Sequence, residues 1–200
     1  MQTRFKYSLG LLALSAALGV QAAPLAFSLS VAQPAPKATA GKMTLSSPDF
    51  AANGVLKSAQ VANGFGCQGQ NISPALNWSH VPKGTQSLVL TMYDPDAPTG
   101  SGFWHWNVYN LPADSSGLPA GAGQGKGLPE GAVQLNHDGG ASGYVGACPP
   151  VGDRPHRYIF TLYALREKLD LPAGASPAYL GFNLNGKVLA KAQLTGRYGR

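Results

Sequence analysis

Charge is scarce in this chain. Only 12% of the 200 residues are charged, 15 Lys and Arg against 9 Asp and Glu, which argues against a helical bundle with a heavily solvated surface. The Lys and Arg are scattered, without the clusters or interleaved aromatics that track a phosphate backbone, so nucleic acid is not an expected partner. Cysteine is nearly absent. Cys67 in GFGCQG and Cys148 in GACPPVGD are the two present, and neither sits in a C-x-x-C or C-x-x-H pair, which argues against a zinc framework. What the chain has in abundance is 26 glycines and 16 prolines, with 44% apolar residues. That balance excludes wholesale disorder and points to a domain rich in turns and strands.

Arg4 and Lys6 precede an apolar run over residues 9–20, followed by the small-residue site Val20-Gln21-Ala22. This pattern predicts a cleavable signal peptide over residues 1–22, with the mature chain starting near Ala23. The alternative is a membrane anchor, but the run falls short of the roughly 20 residues that span a bilayer. No Cys follows it, so a lipid anchor is not expected. Cleavage would remove Arg4 and Lys6, two of the charges behind the net +6. The expected location is exported, periplasmic or secreted, with no transmembrane segment in the mature form. Export would place Cys67 and Cys148 in an oxidising compartment, where a disulfide is the simplest pairing and two reduced, buried thiols are the alternative.

Residues 23–42 lack sustained periodicity and end in Pro, Ala, Thr and Gly, as a flexible linker does. One domain is expected over residues 43–200. It should open with a half-buried strand in MTLSSPDF, followed by a loop-rich stretch with a short strand at ALNWS. SLVLTMY, WHWNVYNLP and HRYIFTLYAL are β-favouring runs of the kind buried on both faces. Together they predict a mainly β fold with a sheet-on-sheet core. Ser176 and Pro177 suit an N-cap and first helical position, and Tyr179, Leu180, Leu184, Val188 and Leu189 repeat at helical spacing. A helix is expected there, with a break at Asn185-Gly186, before the closing LTGRYGR returns to extended chain.

Chemistry concentrates where buried runs end. DPDAPTG follows SLVLTMY, and Pro95 and Pro98 cannot donate ladder hydrogen bonds, so Asp94 and Asp96 are expected on a stiff loop at the sheet's rim. An isolated D-P-D is otherwise an acidic turn whose carboxylates cap backbone N–H groups. The second cluster, GYVGACPPVGDRPHRYIF, repeats the arrangement, with His156 just before another buried run. His105 stands at a strand beginning between Trp104 and Trp106, which simple alternation places together on the opposite face. Two histidines and two carboxylates at strand ends, beside rigid Gly and Pro loops, are expected to converge.

DPDAP, then HW in a strand, then GYxGxxPPxGxxxHRYxFxLYAL resembles the phosphatidylethanolamine-binding protein family, and most of all its bacterial Raf-kinase-inhibitor-like branch. The resemblance runs from about Thr44 to Arg200. It implies a large antiparallel sheet facing a smaller one, peripheral helices, and a small anion-binding cavity at the sheet edge. By motif, the ligand-binding set would be Asp94, Asp96, His105, Gly146, Pro150, His156 and Tyr158, with Asp96 also suited to holding the loop. The family further implies a cis peptide between Ala97 and Pro98. This chain departs from the pattern at Asn136-His137-Asp138, where Arg-Asn-Asp is usual, at Ala147, where Pro is common, and at Asn107 in an otherwise apolar strand.

The function expected is a binding protein for a small anion or phosphate-type head group, with no cofactor. Asp94 would orient a protonated His105 or meet an ammonium, and affinity would rise as pH falls through about 6.5. An inhibitor of another protein, such as a protease or envelope target, is the alternative. An acid/base or two-histidine, one-carboxylate metal enzyme is a third reading, although G-x-S-x-G and H-E-x-x-H are both absent.

Overall fold

The computed structural model describes residues 42–200. The expected signal peptide lies outside the described residues, as does the linker apart from its last residue. Strands β1 (Thr44–Ser46), β2 (Asn63–Gly64), β3 (Cys67–Gln68), β4 (Leu76–Ser79), β5 (Ser87–Asp94), β6 (Phe103–Leu111), β7 (Gly117–Leu118), β8 (Val133–Gln134), β9 (His156–Leu165) and β10 (Val188–Tyr198) are joined by Gly- and Pro-rich loops. Among the described residues the α-helix α1 (Pro177–Asn183) precedes β10, and short 3-10 helical turns stand at Ser58–Gln60 and Ala122–Gln124.

The larger sheet runs β10-β9-β5-β6-β8 and the smaller β1-β4-β7, while β2 and β3 form a separate hairpin. Every strand pairing is antiparallel. The continuous apolar run of β5 is explained by its central position, because each of its faces is covered and alternation has no solvent side to serve. On one face, Leu88, Leu90, Met92, Trp106, Phe160 and Leu162 pack against Leu45, Leu76, Trp78 and Leu118 of the smaller sheet. That layer is the sheet-on-sheet core. On the other face, Val89, Tyr109 and Leu165 pack against Leu169, Leu171, Leu180 and Leu184, so α1 and the chain leading into it cover the end of the sheet remote from Asp94.

Three expectations need correction. The Ser176 hydroxyl accepts from the Tyr179 N–H at 3.1 Å and Pro177 opens the helix, but α1 ends at Asn183, so Val188 and Leu189 belong to β10. Gly186 takes φ 72°, and beyond it β10 pairs along the whole of β9, which outweighs a helical spacing carried by two residues. The Ala97–Pro98 bond is trans, and the turn is closed by the Thr99 N–H on the Ala97 carbonyl at 2.8 Å and by the Thr99 hydroxyl on the Gly102 carbonyl.

The third correction concerns the tryptophans. Tyr93 pairs with Trp104 and Met92 with Trp106, one step on β5 against two on β6, so His105 is the extra residue of a β-bulge. Alternation therefore breaks at His105. Trp106 is fully buried in the inter-sheet core, whereas Trp104 lies on the outer face against Tyr93, with ring centroids 4.4 Å apart.

Candidate functional site

Antiparallel order places the exit of β5 beside the entries of β6 and β9, so the two sequence clusters meet at one edge of the larger sheet. A cavity of about 200 Å³ opens there, lined by Asp94, His105, Gly146, Pro150, His156 and Tyr158 of the expected set. Ala97, Pro98, Phe103, Val145 and Pro149 supply apolar walls, and Phe65, Thr99 and Cys148 complete the lining.

Asp96 is not brought into the cavity. Its carboxylate turns to β9, accepting from the Arg157 backbone N–H at 2.9 Å, from Arg157 Nε at 2.8 Å and from Arg157 Nη2 at 2.8 Å. Arg157 holds the Asp96 carboxyl well below the usual carboxylate range. The loop-holding role is the one this geometry serves, because the contact ties the D-P-D loop to the neighbouring strand.

The cavity floor is an acid–imidazole network. Asp94 Oδ2 lies 2.8 Å from His156 Nδ1, and Asp94 Oδ1 accepts from the Asp96 N–H at 2.8 Å. Burial pushes the Asp94 carboxyl above its ordinary value despite these bonds. His156 Nε2 lies 3.4 Å from Asp153 Oδ2, so the ring stands between two carboxylates. The Tyr158 hydroxyl is fully buried without a partner among the described residues, and burial, aided by the nearby Asp94, raises its pKa. A buried hydroxyl of this kind is a ready contact for a ligand.

His105 is held differently. Its Nδ1 lies 2.9 Å from the Val145 carbonyl, the Val145 N–H donates to the His105 carbonyl at 3.0 Å, and the ring meets Tyr158 edge-on with centroids 5.2 Å apart. Burial lowers its pKa to about 4. Burial thus works against the expected protonation of His105 near pH 6.5, its ring being enclosed by the bulge, Phe103 and Tyr158.

Gly146 comes so close to the neighbouring chain that a Cβ would lie within 2.6 Å of the Gln60 carbonyl oxygen. Its N–H does not face the cavity: it donates to Asn71 Oδ1 at 2.7 Å. Asn71, Asp153 and Phe65 are site neighbours that sequence reasoning missed. Asn71 and Phe65 occupy the left-handed region at φ 55° each, and Asp153 stands three residues before His156. The departures at Asn136-His137-Asp138 have local uses. His137 Nδ1 accepts from the Gly139 N–H at 2.9 Å, and Asp138 Oδ2 accepts from the Trp104 N–H at 2.8 Å. Neither residue lines the cavity. Ala147 and Asn107 are fully buried, and both side-chain amide atoms of Asn107 lack partners among the described residues.

Cys67 and Cys148 form a disulfide that joins the hairpin bearing Phe65 to the cavity loop. Arg200 reinforces that join by donating to the Pro149 carbonyl at 2.6 Å and to the Gly66 carbonyl at 2.7 Å. Among the described residues, no group of three or more His, Cys, Asp or Glu could hold a metal ion, and no helix is long and apolar enough to cross a membrane.

Known proteins are similar to this chain in sequence and fold. UPF0098 protein YbhB of Escherichia coli is 51% identical over 158 residues, 78% of this chain and 99% of its own length. The putative lipoprotein LppC of Mycobacterium tuberculosis is 37% identical over 175 residues, 88% of this chain and 80% of its own. The crystal structure of E. coli YbcL superposes with a TM-score of 0.77 at 46% identity, covering 80% of this chain and 99% of that one. A profile of the family described as phosphatidylethanolamine-binding protein spans residues 46–199, through both cavity segments and both sheets, and the chain belongs to that family.

Proposed function

We propose that the cavity binds a small oxyanion or phosphate-type head group and that the protein acts by binding rather than by turnover. The observation that carries this reading is the unpartnered Tyr158 hydroxyl, fully buried beside Asp94, His105 and His156 in a cavity of about 200 Å³. A cavity of that size suits a head group of a few heavy atoms, and the apolar walls suit the carbon next to it. Binding is favoured over catalysis because the wall's aliphatic hydroxyl and its sulfur are both committed, the Thr99 hydroxyl to the Gly102 carbonyl and Cys148 to Cys67. The disulfide and the resemblance to a putative lipoprotein support export to an oxidising compartment.

Calorimetric titration with inorganic phosphate and glycerophosphoethanolamine tests the reading. Tyr158→Phe should weaken binding about 5- to 10-fold, the worth of one hydrogen bond, without lowering thermal stability. Equal affinity in the wild type and in both Tyr158→Phe and His105→Ala removes the site, and phosphoester turnover abolished by those variants replaces binding with catalysis.

A further inference from the structure

We propose that the free edge of β10 takes an extended acidic segment of a partner protein as an added strand. The proposal is independent of the cavity and of what the cavity binds.

β10 is an outer strand of the larger sheet, and its hydrogen bonds fix which residues face away from β9. The Arg197 N–H donates to the Gly54 carbonyl at 2.8 Å, the Leu56 N–H to the Arg197 carbonyl at 2.9 Å, and the Asn53 N–H to the Thr195 carbonyl at 2.7 Å. In an antiparallel pair the N–H and C=O of alternate residues point the same way, so Lys191 and Gln193 face outward together with Thr195 and Arg197. Val55 covers the edge at Arg197 as a parallel bridge, and a turn at residues 52–53, with Asn53 at φ 59°, takes the chain off the edge. Beyond that turn the outward N–H and C=O of Lys191 and Gln193 have no backbone partner among the described residues. The register shift between Val188 and Ala190 bounds the opening at its other end.

The chemistry of the strand names the partner. VLAKAQLTGRY contains no Asp or Glu, and neither Lys191 nor Arg197 has a carboxylate partner among the described residues. Lys187, by contrast, is paired with Glu167 at 2.8 Å. Lys191 and Gln193 are exposed, while Ala190 and Ala192 pack toward the inter-sheet core. An added strand would set acidic side chains beside Lys191 on one face and small apolar ones beside Ala190 and Ala192 on the other. Main-chain bonds along such an edge supply affinity, and the alternating side chains supply selectivity.

A second copy of this chain fits less well. With the edge already covered at Arg197, antiparallel pairing of two β10 strands is confined to the residues around Lys191. That places the two lysines directly opposite or on the diagonal, where like charges repel.

The test uses the full chain labelled with nitrogen-15 and two blocked peptides, one alternating valine with glutamate and the other valine with lysine. In the chain alone the Lys191 and Gln193 amides should exchange rapidly with solvent, while those of Ala192 and Leu194, which face β9, exchange slowly. The glutamate peptide should slow the two outward amides by about tenfold or more. It should bind about 3- to 10-fold tighter than the lysine peptide at low ionic strength, with the gap closing in high salt. In Lys191→Glu the order of the two peptides should reverse. Gln193→Pro deletes an outward N–H and no bond to β9, so the fold should stand while affinity for the glutamate peptide falls about tenfold. Outward amides already protected in the chain alone would mean that its own N-terminal residues or a second copy covers the edge, and would overturn the proposal. Failure of the glutamate peptide to slow them overturns it too, as does equal binding of both peptides that Lys191→Glu leaves unchanged.

Discussion

His156 Nδ1 lies 2.8 Å from Asp94 Oδ2, with each side chain only 3% exposed, so the first residue of β9 and the last of β5 share one buried polar contact. Neither could remain there alone, because an isolated buried carboxylate or imidazole would lose its hydration without return. The contact also explains why the DPD loop and the RPH segment need each other although they stand 62 residues apart.

Asp94→Asn should leave the fold intact and change ligand choice. The folded-state pKa of Asp94 is raised by burial, so its charge opposes folding: stability is higher with the acid protonated and is lost as pH rises through the folded value. The Asn Oδ1 still accepts from the Asp96 N–H, while its uncharged Nδ2 stands where Oδ2 was and can donate to His156 Nδ1 in the imidazole's other neutral tautomer. Urea denaturation at pH 7 should therefore show the variant no less stable than the wild type, with the difference shrinking toward pH 4. A marked loss at pH 7 would mean that the ion pair, not the hydrogen bond, holds β9 to β5.

His105 sets a different pH window. Its folded-state pKa of about 4 lies below the ordinary 6.5, so its contribution is fully present above pH 6.5 and is lost progressively as pH falls toward 4. Each tenfold change in proton affinity is worth about 1.4 kcal/mol, which makes the full loss on the order of 3 kcal/mol. His105→Gln cannot titrate, and its stability should be flatter across that interval. Denaturant midpoints at pH 7, 5.5 and 4 for the two proteins check it.

The large sheet was legible because buried strands leave long apolar runs: residues 87–94, 103–111 and 156–165 emerge where the β-favouring segments stand. The meeting of Asp94, His105 and His156 was legible from strand ends beside rigid loops, and Tyr158 from the family resemblance, whereas Asp96, expected to converge with them, turns to Arg157. What could not be read depends on partners distant in sequence. The bulge at His105 is a property of the pairing of β6 with β5, so it separates Trp104 from Trp106 without a local signal. The neutral state of His105 follows from enclosure by Phe103 and Tyr158, and the commitment of the Gly146 N–H follows from Asn71, 75 residues earlier. Helical spacing at Leu180, Leu184 and Val188 misled because β10 resumes in phase with it, and only pairing with β9 distinguishes the two.

The Asp96 clamp should matter to stability more than to ligand contact. Asp96→Ala removes three hydrogen bonds from Arg157 and should cost about 1 to 3 kcal/mol, while Arg157→Ala should cost less, because the backbone N–H of residue 157 keeps its acceptor. Arg157 depresses the Asp96 pKa, so this stability is present above the unfolded value of 3.8 and is lost only as pH falls below it. Between pH 7 and 5 the difference between wild type and Asp96→Ala should be constant. Chemical denaturation at those two pH values measures it.

The disulfide links the cavity to the rest of the domain. Cys67 and Cys148 are 81 residues apart, and in the chain-entropy account closing so long a loop contributes about 4 kcal/mol by restricting the unfolded chain. Cys67→Ser with Cys148→Ser should lower stability by up to that amount. The local consequence is more specific. Cys148 lines the cavity beside Pro149 and Pro150, and Cys67 ends the hairpin turn that carries Phe65, so loss of the bond frees two walls at once. Arg200 still bridges the Pro149 and Gly66 carbonyls, which should keep the walls near each other in the folded variant. Affinity for phosphate should therefore fall by less than tenfold, with faster hydrogen exchange confined to the segments around residues 64–68 and 146–150. Exchange that spreads into β5 and β9 would show that the bond supports the sheet itself, and an unchanged exchange pattern would show that the arginine contacts alone hold the cavity closed.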